Sequence, residues 1–366
     1  MSNYIEFNDK IAFHPGYYIK EIIEDIGLTQ EDFAKRLDTT PKNLSLLIRG
    51  EQNLSIDIAM KLSRMMDTSV IYWLNLQKAY DALVAETKSE EIMEEERILF
   101  KNVDYSYFRD YFELPNLDRK KDEQIMTVRR FLKIASLTVL KQSSMSVSFR
   151  SASSNLSEIN TIKANMMVQI ATNIALDKKS LCYDKKEFER AVDYALSLTD
   201  KHDRFLPLIK DAFEKAGVIL VVMPNMPGSK INGAAKKIGN KIMIMVNDRG
   251  LYADNFWFTL FHEIGHVMKG DFGISFEKEK GDAETEADEF ASEKLIPEES
   301  YQKFIIKRRF TPNSVRSFAK EINRDPGIVI GRLFHDELIE RNNYELNSMR
   351  KKYKVVNKKT SCTSRE

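Results

Sequence analysis

Apolar positions recur at helical spacing through the first part of the chain. After Thr29, the residues Phe33, Ala34 and Leu37 form one stripe and predict a helix. Thr29 precedes that helix as its N-cap, with Asp32 three residues on in a variant of the capping box. A short turn follows at Asp38–Thr39. Thr40 then caps a second helix whose first position is Pro41, where the missing N–H costs nothing. Leu44, Leu47 and Ile48 face inward, and Gly50 ends the run. Two helices joined by a turn of three to four residues form a helix-turn-helix.

The pattern changes further along. FLPLIKDAFEKAG reads as an amphipathic helix ending at Gly217, and GVILVVMP and KIMIMVND read as short strands. INGAAKKIGN lies between them, with a turn at Gly239–Asn240. Phe258, Leu260, Phe261, Ile264, Val267 and Met268 wrap a further helix in apolar side chains, which predicts burial. The middle of the chain is helix-like and carries an acidic run, Glu90, Glu91, Glu94, Glu95 and Glu96. Its aromatic cluster, Tyr105, Tyr107, Phe108, Tyr111 and Phe112, reads as a helical core or as a partner surface. The Ser-rich stretch from Ser143 to Ser157 is the best loop candidate. The expected fold class is α+β and predominantly helical, with a small β-sheet in its later part.

Composition narrows the class. Of 366 residues, 43% are apolar and 30% charged, as in a folded globular protein. Lys and Arg number 56 against 55 Asp and Glu, so any nucleic-acid case rests on local features. No apolar run approaches the length of a membrane span, and MSNYIEFNDK lacks the features of a signal peptide. Cys182 and Cys362 are expected to be unpaired thiols, and the expected location is a reducing cytoplasm.

In the helix-turn-helix, Thr40, Lys42, Asn43 and Ser45 are expected on the exposed half of the second helix, with Arg49 at its end and Gln30 placed for a phosphate. Asn can read adenine through two hydrogen bonds, and Lys and Arg serve guanine or phosphate. Against this, residues 1–80 hold nine Lys or Arg and eleven Asp or Glu, and a helical bundle that docks protein has the same outline. The segments HPGYYIKEIIEDIGLTQEDFAKRL, LIRGEQNLSIDIAMKLSRMM and SVIYWLNLQKAYD resemble the HigA-type antitoxin repressors. That resemblance implies a homodimer on a palindromic operator DNA, often alongside a toxin.

FTLFHEIGHVMKG places His262, Glu263 and His266 in H-E-x-x-H spacing. On a helix, residues four apart share a face and lie about 6 Å apart along the axis, so both imidazoles can reach one Zn²⁺ with Glu263 beside the open position. Gly265 in mid-helix points to close approach of another element or a ligand. Eighteen residues after His266, Glu284, Ala287, Asp288 and Ala291 share a second helical face. Glu284 completes a His₂Glu set there, Asp288 can orient a ligand imidazole, and the two alanines permit close packing. Glu286 is the competing ligand, on another side of that helix.

The residues GVILVVMP, INGAA, IMIMVN, FTLFHEIGHVMKGD and ETEADEFASEKLIP resemble the ImmA/IrrE family of gluzincin-like metallopeptidases over roughly 203–300. The resemblance implies Zn²⁺, endopeptidase action and, for several members, cleavage of a helix-turn-helix repressor. It makes His262, His266 and Glu284 the metal ligands and Glu263 the general base, which activates water for attack on a peptide carbonyl. The two strands are expected to offer an edge for extended substrate. Tyr252, Tyr301 and His335 are candidates for a second oxyanion donor.

The expected organisation is therefore a HigA-like DNA-binding domain over 1–82, a helical connecting segment over 83–200, an ImmA/IrrE-like domain over 201–340 and a basic tail over 341–366 whose end is solvated. The leading reading is a repressor carrying a working zinc endopeptidase, acting on a regulator, a partner or itself. The alternatives are an antitoxin whose metal domain is a non-proteolytic sensor or scaffold, and a protease whose first module docks protein.

Overall fold

The computed structural model describes residues 3–142, 157–179, 181–276 and 281–355. All but the end of the Ser-rich stretch, and Cys362, lie outside these. The chain forms two compact units, Met1–Glu95 and Glu96–Glu366. The division expected at 82/83 falls inside a helix, because Val70–Phe100 carries no Gly or Pro to interrupt it.

The first unit opens with a hairpin that the short alternation of YIEF and KIAF did not announce. Strands β1 (Tyr4–Phe7) and β2 (Lys10–Phe13) pair antiparallel, and Asn8 and Asp9 take the positive φ values of a two-residue turn. Helices α1 (Pro15–Ile26), α2 (Gln30–Arg36), α3 (Pro41–Ile48) and α4 (Ile56–Met66) follow, with the start of α5 (Val70–Phe100). Ile19, Phe33, Leu44, Leu62 and Trp73 are at its core. Thr29 and Thr40 cap α2 and α3 as the sequence predicts. The capping box does not close: the Thr29 hydroxyl donates to the Asp32 carboxylate at 2.9 Å, so that side chain is not spent on the Thr29 backbone.

The second unit takes in the end of α5. Glu96 is fully buried there, accepting hydrogen bonds from Ser136 Oγ (3.0 Å) and the Leu137 amide (2.5 Å) and pairing with Arg129. Helices α6 (Tyr105–Phe112) and α7 (Lys121–Leu132) follow, then a 3₁₀ turn (Leu137–Lys141), α8 (Glu158–Asp177), α9 (Lys185–Leu196) and α10 (Phe205–Lys215). The aromatic cluster on α6 is core: Tyr105, Tyr107 and Phe108 are buried, and Phe108 and Phe112 pack on Phe131. The middle helices from Glu96 onward thus belong to the second unit and form no separate connector.

Strands β3 (Val218–Met223), β4 (Ile231–Ile238) and β5 (Lys241–Asn247) come next, then α11 (Ala253–Lys269), β6 (Gly273–Phe276) and α12 (Asp282–Leu295). The sheet order is β3-β5-β4-β6, with β3 parallel to β5 and β4 antiparallel to both its neighbours. Two expectations need correction. INGAAKKI is itself a strand, forming a hairpin with β5 through Gly239–Asn240; its Gly and Ala residues carry little strand propensity, and pairing on both sides overrides that. The second expected strand, β5, is internal, so the sheet edges are β3 and β6.

Helices α13 (Glu298–Ile305), α14 (Pro312–Glu321), α15 (Pro326–His335) and α16 (Tyr344–Asn347) complete the unit. The basic segment after 341 packs on the unit as far as Val355, and the end expected to be solvated lies outside the described residues. Leu346 is fully buried, the Ala253 amide donates to the Lys351 carbonyl (2.9 Å), and Tyr353 stacks on Phe205 with ring centroids 5.0 Å apart. Arg350 grips the buried Asp254 carboxylate through Nε (3.1 Å) and Nη2 (2.6 Å), and its guanidinium lies 3.8 Å from the centre of the Tyr252 ring. Apolar contacts this sparse leave no periodicity in the sequence.

Removing one partner of a buried ion pair strands the other charge. Arg350→Ala should therefore lose about 3–5 kcal/mol of stability, while Arg350→Ala with Asp254→Asn should recover a substantial part of it. Chemical denaturation of the two variants checks this; equal losses would show that the charge pairing contributes nothing.

Candidate functional site

Helix α11 is buried along most of its length, and α12 lies against it. A Cβ on Gly265 would come within 3.3 Å of Ala287 Cα and 3.2 Å of the Phe290 ring, so glycine gives this close approach without crowding. Ala287 and Ala291 are buried in the seam. The close crossing brings His262 and His266 of α11 to Glu284 of α12.

The two Nε2 atoms are 3.0 Å apart, His262 Nε2 is 3.1 Å from Glu284 Oε2, and His266 Nε2 is 3.4 Å from Glu284 Oε1. Ligands at zinc-like distances on a tetrahedron stand about 3.4 Å from one another, so the donor set fits such an ion. The outer nitrogens are held as well. His262 Nδ1 meets Asp288 Oδ1 at 2.8 Å, and His266 Nδ1 meets Asp271 Oδ2 at 3.1 Å. Ionised carboxylates only accept, so each Nδ1 carries the proton and each Nε2 turns a lone pair inward. Facing lone pairs beside a carboxylate call for a positive charge, either a proton or a metal ion.

Protonation shows the same demand. Burial pushes the His262 imidazolium down, but Asp288, Glu284 and Glu263 outweigh it and raise its pKa to about 10. Burial also works against the Glu284 carboxylate, yet His262 and His266 lower it to about 2.

Glu263 is fully buried. Its carboxylate lies against β4 at Gly233, where an added Cβ would stand 2.5 Å from Oε1. A cavity of about 200 Å³ borders His262, Glu284 and Asp288, with Asn232, Ser275 and Phe276 on its far walls. Phe258 and Thr259 border both this cavity and a larger one of about 430 Å³.

Several expected residues sit elsewhere. Glu286 is exposed and pairs with Lys269, away from the cluster. Of the oxyanion candidates, none borders the smaller cavity: Tyr301 is buried and donates to Asp336 (2.7 Å), Tyr252 lies under Arg350, and exposed His335 reaches only the larger cavity. Sequence reasoning missed Asp271 and Gly233. Asp271 directly follows the Gly270 that ends α11, a signal available in the motif itself.

In the first unit, the turn between α2 and α3 uses Asp38 with φ 52°, taking the left-handed position expected of glycine. Gln30, Thr40, Lys42 and Arg49 are exposed, while Asn43 and Ser45 are half-buried. Two of these groups are already engaged: the Asn43 amide donates to Thr39 Oγ1 (3.0 Å), and Arg49 pairs with Glu51 (3.1 Å). Lys42 makes no ion pair among the described residues and borders an open depression with Lys35, Thr39 and Thr40. Cys182 is exposed and unpaired.

Sign and direction of the site's titration can be checked on protein stripped of metal. His262, raised from 6.5, contributes stability that is fully present below pH 6.5 and is lost as pH climbs toward 10. Glu284, lowered from 4.5, contributes stability that is lost as pH falls from 4.5 toward 2. The melting temperature of the stripped protein should decline on both sides of this window, and His262→Gln should abolish the alkaline decline. An identical alkaline limb in that variant would contradict the assignment.

Residues 19–73 match the Helix-turn-helix family, and residues 217–309 match a peptidase-family domain described as IrrE N-terminal-like. Virulence-associated protein I of Dichelobacter nodosus is 31% identical over 86 residues, which are 23% of this chain and 80% of that protein. The uncharacterized HTH-type transcriptional regulator YddM of Escherichia coli K12 is 34% identical over 79 residues, 21% of this chain and 84% of its own length. Among solved structures, an addiction-module antidote protein of a HigA family from Coxiella burnetii is 29% identical, covering 23% of this chain and 92% of that one with a TM-score of 0.21. Among the described residues, no helix is long and apolar enough to cross a membrane. The chain belongs to the helix-turn-helix transcriptional regulators, and it joins that module to an IrrE-like domain of a metallopeptidase family.

Proposed function

We propose that this protein is an antitoxin-like repressor whose second unit is a zinc-dependent endopeptidase, hydrolysing a peptide bond in a regulator, a partner protein or the chain itself. One observation carries the reading: His262, His266 and Glu284 converge within 4.8 Å of one another, with Glu263 buried on the same helix. In this reading His262, His266 and Glu284 hold Zn²⁺, and Asp288 and Asp271 fix the two imidazoles. When bound, the ion supplies Lewis acidity that brings the pKa of water toward neutrality. Glu263 takes the proton of the attacking water and returns it to the leaving amine. The contact with Gly233 restricts where its carboxylate can swing. An extended peptide can pair along β6, the sheet edge whose Ser275 and Phe276 border the smaller cavity.

The first unit, in the same reading, binds operator DNA as a homodimer in the cytoplasm, and a cognate toxin or regulator protein is its partner or its substrate. Lys42 and Gln30 contact phosphate or base edges directly. Thr40, Asn43, Ser45 and Arg49 complete the surface once Asn43 leaves Thr39 and Arg49 leaves Glu51.

Metal analysis by mass spectrometry tests the centre. Wild type and Glu286→Ala should each hold about one zinc per chain, and Glu284→Ala should lose it. Glu263→Gln should keep the zinc and lose peptide hydrolysis by at least about a hundredfold. Full regulation in cells by Glu263→Gln would instead support a non-proteolytic metal domain.

Selection from random duplexes should return a palindromic site. On that site Lys42→Ala should weaken binding and reduce the salt slope by about one, as expected for a phosphate contact. An unchanged slope would remove Lys42 from the interface.

A further inference from the structure

The ladder between β4 and β6 is irregular at one place. Ile231 faces Phe276 and Gly233 faces Ser275, so two steps on β4 oppose one step on β6 and Asn232 is the extra residue. The pairing of β4 with β5 begins only at Gly233. Asn232 is therefore outside both ladders, and such a bulge re-aims the side chain it carries. Its neighbour Gly233 is the residue against which the Glu263 carboxylate lies.

Asn232 borders both cavities, as do Phe258 and Thr259 one turn before His262. These three residues are therefore walls common to the two cavities. The walls of the larger cavity include apolar Phe258, Leu295, Ile296 and Ile328. Its charged and titratable lining comprises Asp254, matched by Arg350, Arg332, matched by Asp336 at 2.8 Å, and Arg249 and His335.

We propose that Asn232 is a substrate-positioning residue. Its amide offers a donor and an acceptor to the backbone of an extended peptide crossing from the smaller cavity to the larger one. The residue beside the scissile bond places a bulky apolar side chain in the 430 Å³ cavity. This rests on the endopeptidase reading above and adds what holds the substrate and which side chain it carries.

The test uses full-length zinc-loaded protein and synthetic dodecapeptides randomised at one position at a time, with products read by mass spectrometry. Wild type should cleave beside Leu, Ile, Met or Phe. Asn232→Ala should raise KM about tenfold, the worth of one good hydrogen bond, with a smaller change in kcat and unchanged zinc content. Asn232→Ser, which keeps a donor and an acceptor, should recover part of that loss. Leu295→Ala, on the far wall, should shift the preference toward larger aromatic side chains, and this arm stands even if Asn232→Ala fails to fold. If wild type cleaves but KM is unchanged in Asn232→Ala, or the preferred residue is acidic or basic, the positioning proposal is overturned and the peptidase reading survives. If wild type and Glu263→Gln both leave every peptide intact, the peptidase reading falls and this inference falls with it.

Discussion

The contact between α11 and α12 at Gly265 is the constraint from which the second unit's chemistry follows. A side chain there would press on Ala287 and Phe290 and oblige α12, which carries Glu284, to give way by a few tenths of an ångström. Closeness has an electrostatic consequence. Four carboxylates, from Glu263, Asp271, Glu284 and Asp288, gather around two histidines; Glu263 and Glu284 are buried, while Asp271 and Asp288 reach the surface. Burying the Glu263 and Glu284 carboxylates beside two imidazoles is unfavourable unless a cation sits among them. The steric fit of two helices thus creates a demand for positive charge, and the inward-turned Nε2 atoms give that demand a position. On the opposite face of α11, β4 meets Glu263 at a second glycine, so both sides of the motif are shaped by the absence of a side chain.

Much of this is legible in the amino-acid sequence, because it depends on local spacing. His262, His266 and Glu284 follow from helical geometry alone, and so does the choice of Glu284 over Glu286, since only one face of α12 carries Ala287 and Ala291. Asp271 is equally local, yet it lies just beyond the end of α11, where helical spacing no longer marks which residues share a face. Gly233 and Asn232 are a different matter. Their roles arise from strand pairing across a sheet whose third and fourth members, β4 and β6, are poor in β-branched residues. No periodicity within either segment reveals the pairing.

The helix-turn-helix illustrates the same limit more sharply. From Phe33 to Pro41 the chain runs Phe-Ala, a left-handed Asp38, the capping Thr40 and Pro41. From Phe318 to Pro326 it runs Phe-Ala, a left-handed Asn323, the capping Asp325 and Pro326 at the same spacing. The backbone agrees: Thr39 donates to the Ala34 carbonyl at 2.9 Å, and Arg324 to the Ala319 carbonyl at 2.8 Å. One local code therefore makes two equivalent turns. What separates them is the helix that follows. In α3, Lys42 and Ser45 alternate with buried leucines and Arg49 follows the last turn, leaving an exposed polar face. In α15, Gly327, Ile328, Val329, Ile330, Leu333 and Phe334 are all buried, which leaves no such face for a nucleic acid.

Charge in the first unit then bears on how that exposed face can work. Lys10, Lys20, Lys35, Arg49 and Lys61 each pair with a nearby carboxylate. Lys61 also bonds the Asp38 carbonyl, bracing the turn itself. Cations paired in this way add little to a long-range field, which accords with the module's slight excess of acidic residues. A surface of this kind attracts a polyanion weakly from a distance and depends on fit at contact. Two half-sites engaged together would supply what a single module lacks, since linking two weak contacts multiplies their strength. In the homodimer proposed above, any event that separated the two halves would release the DNA without altering a single residue that touches it.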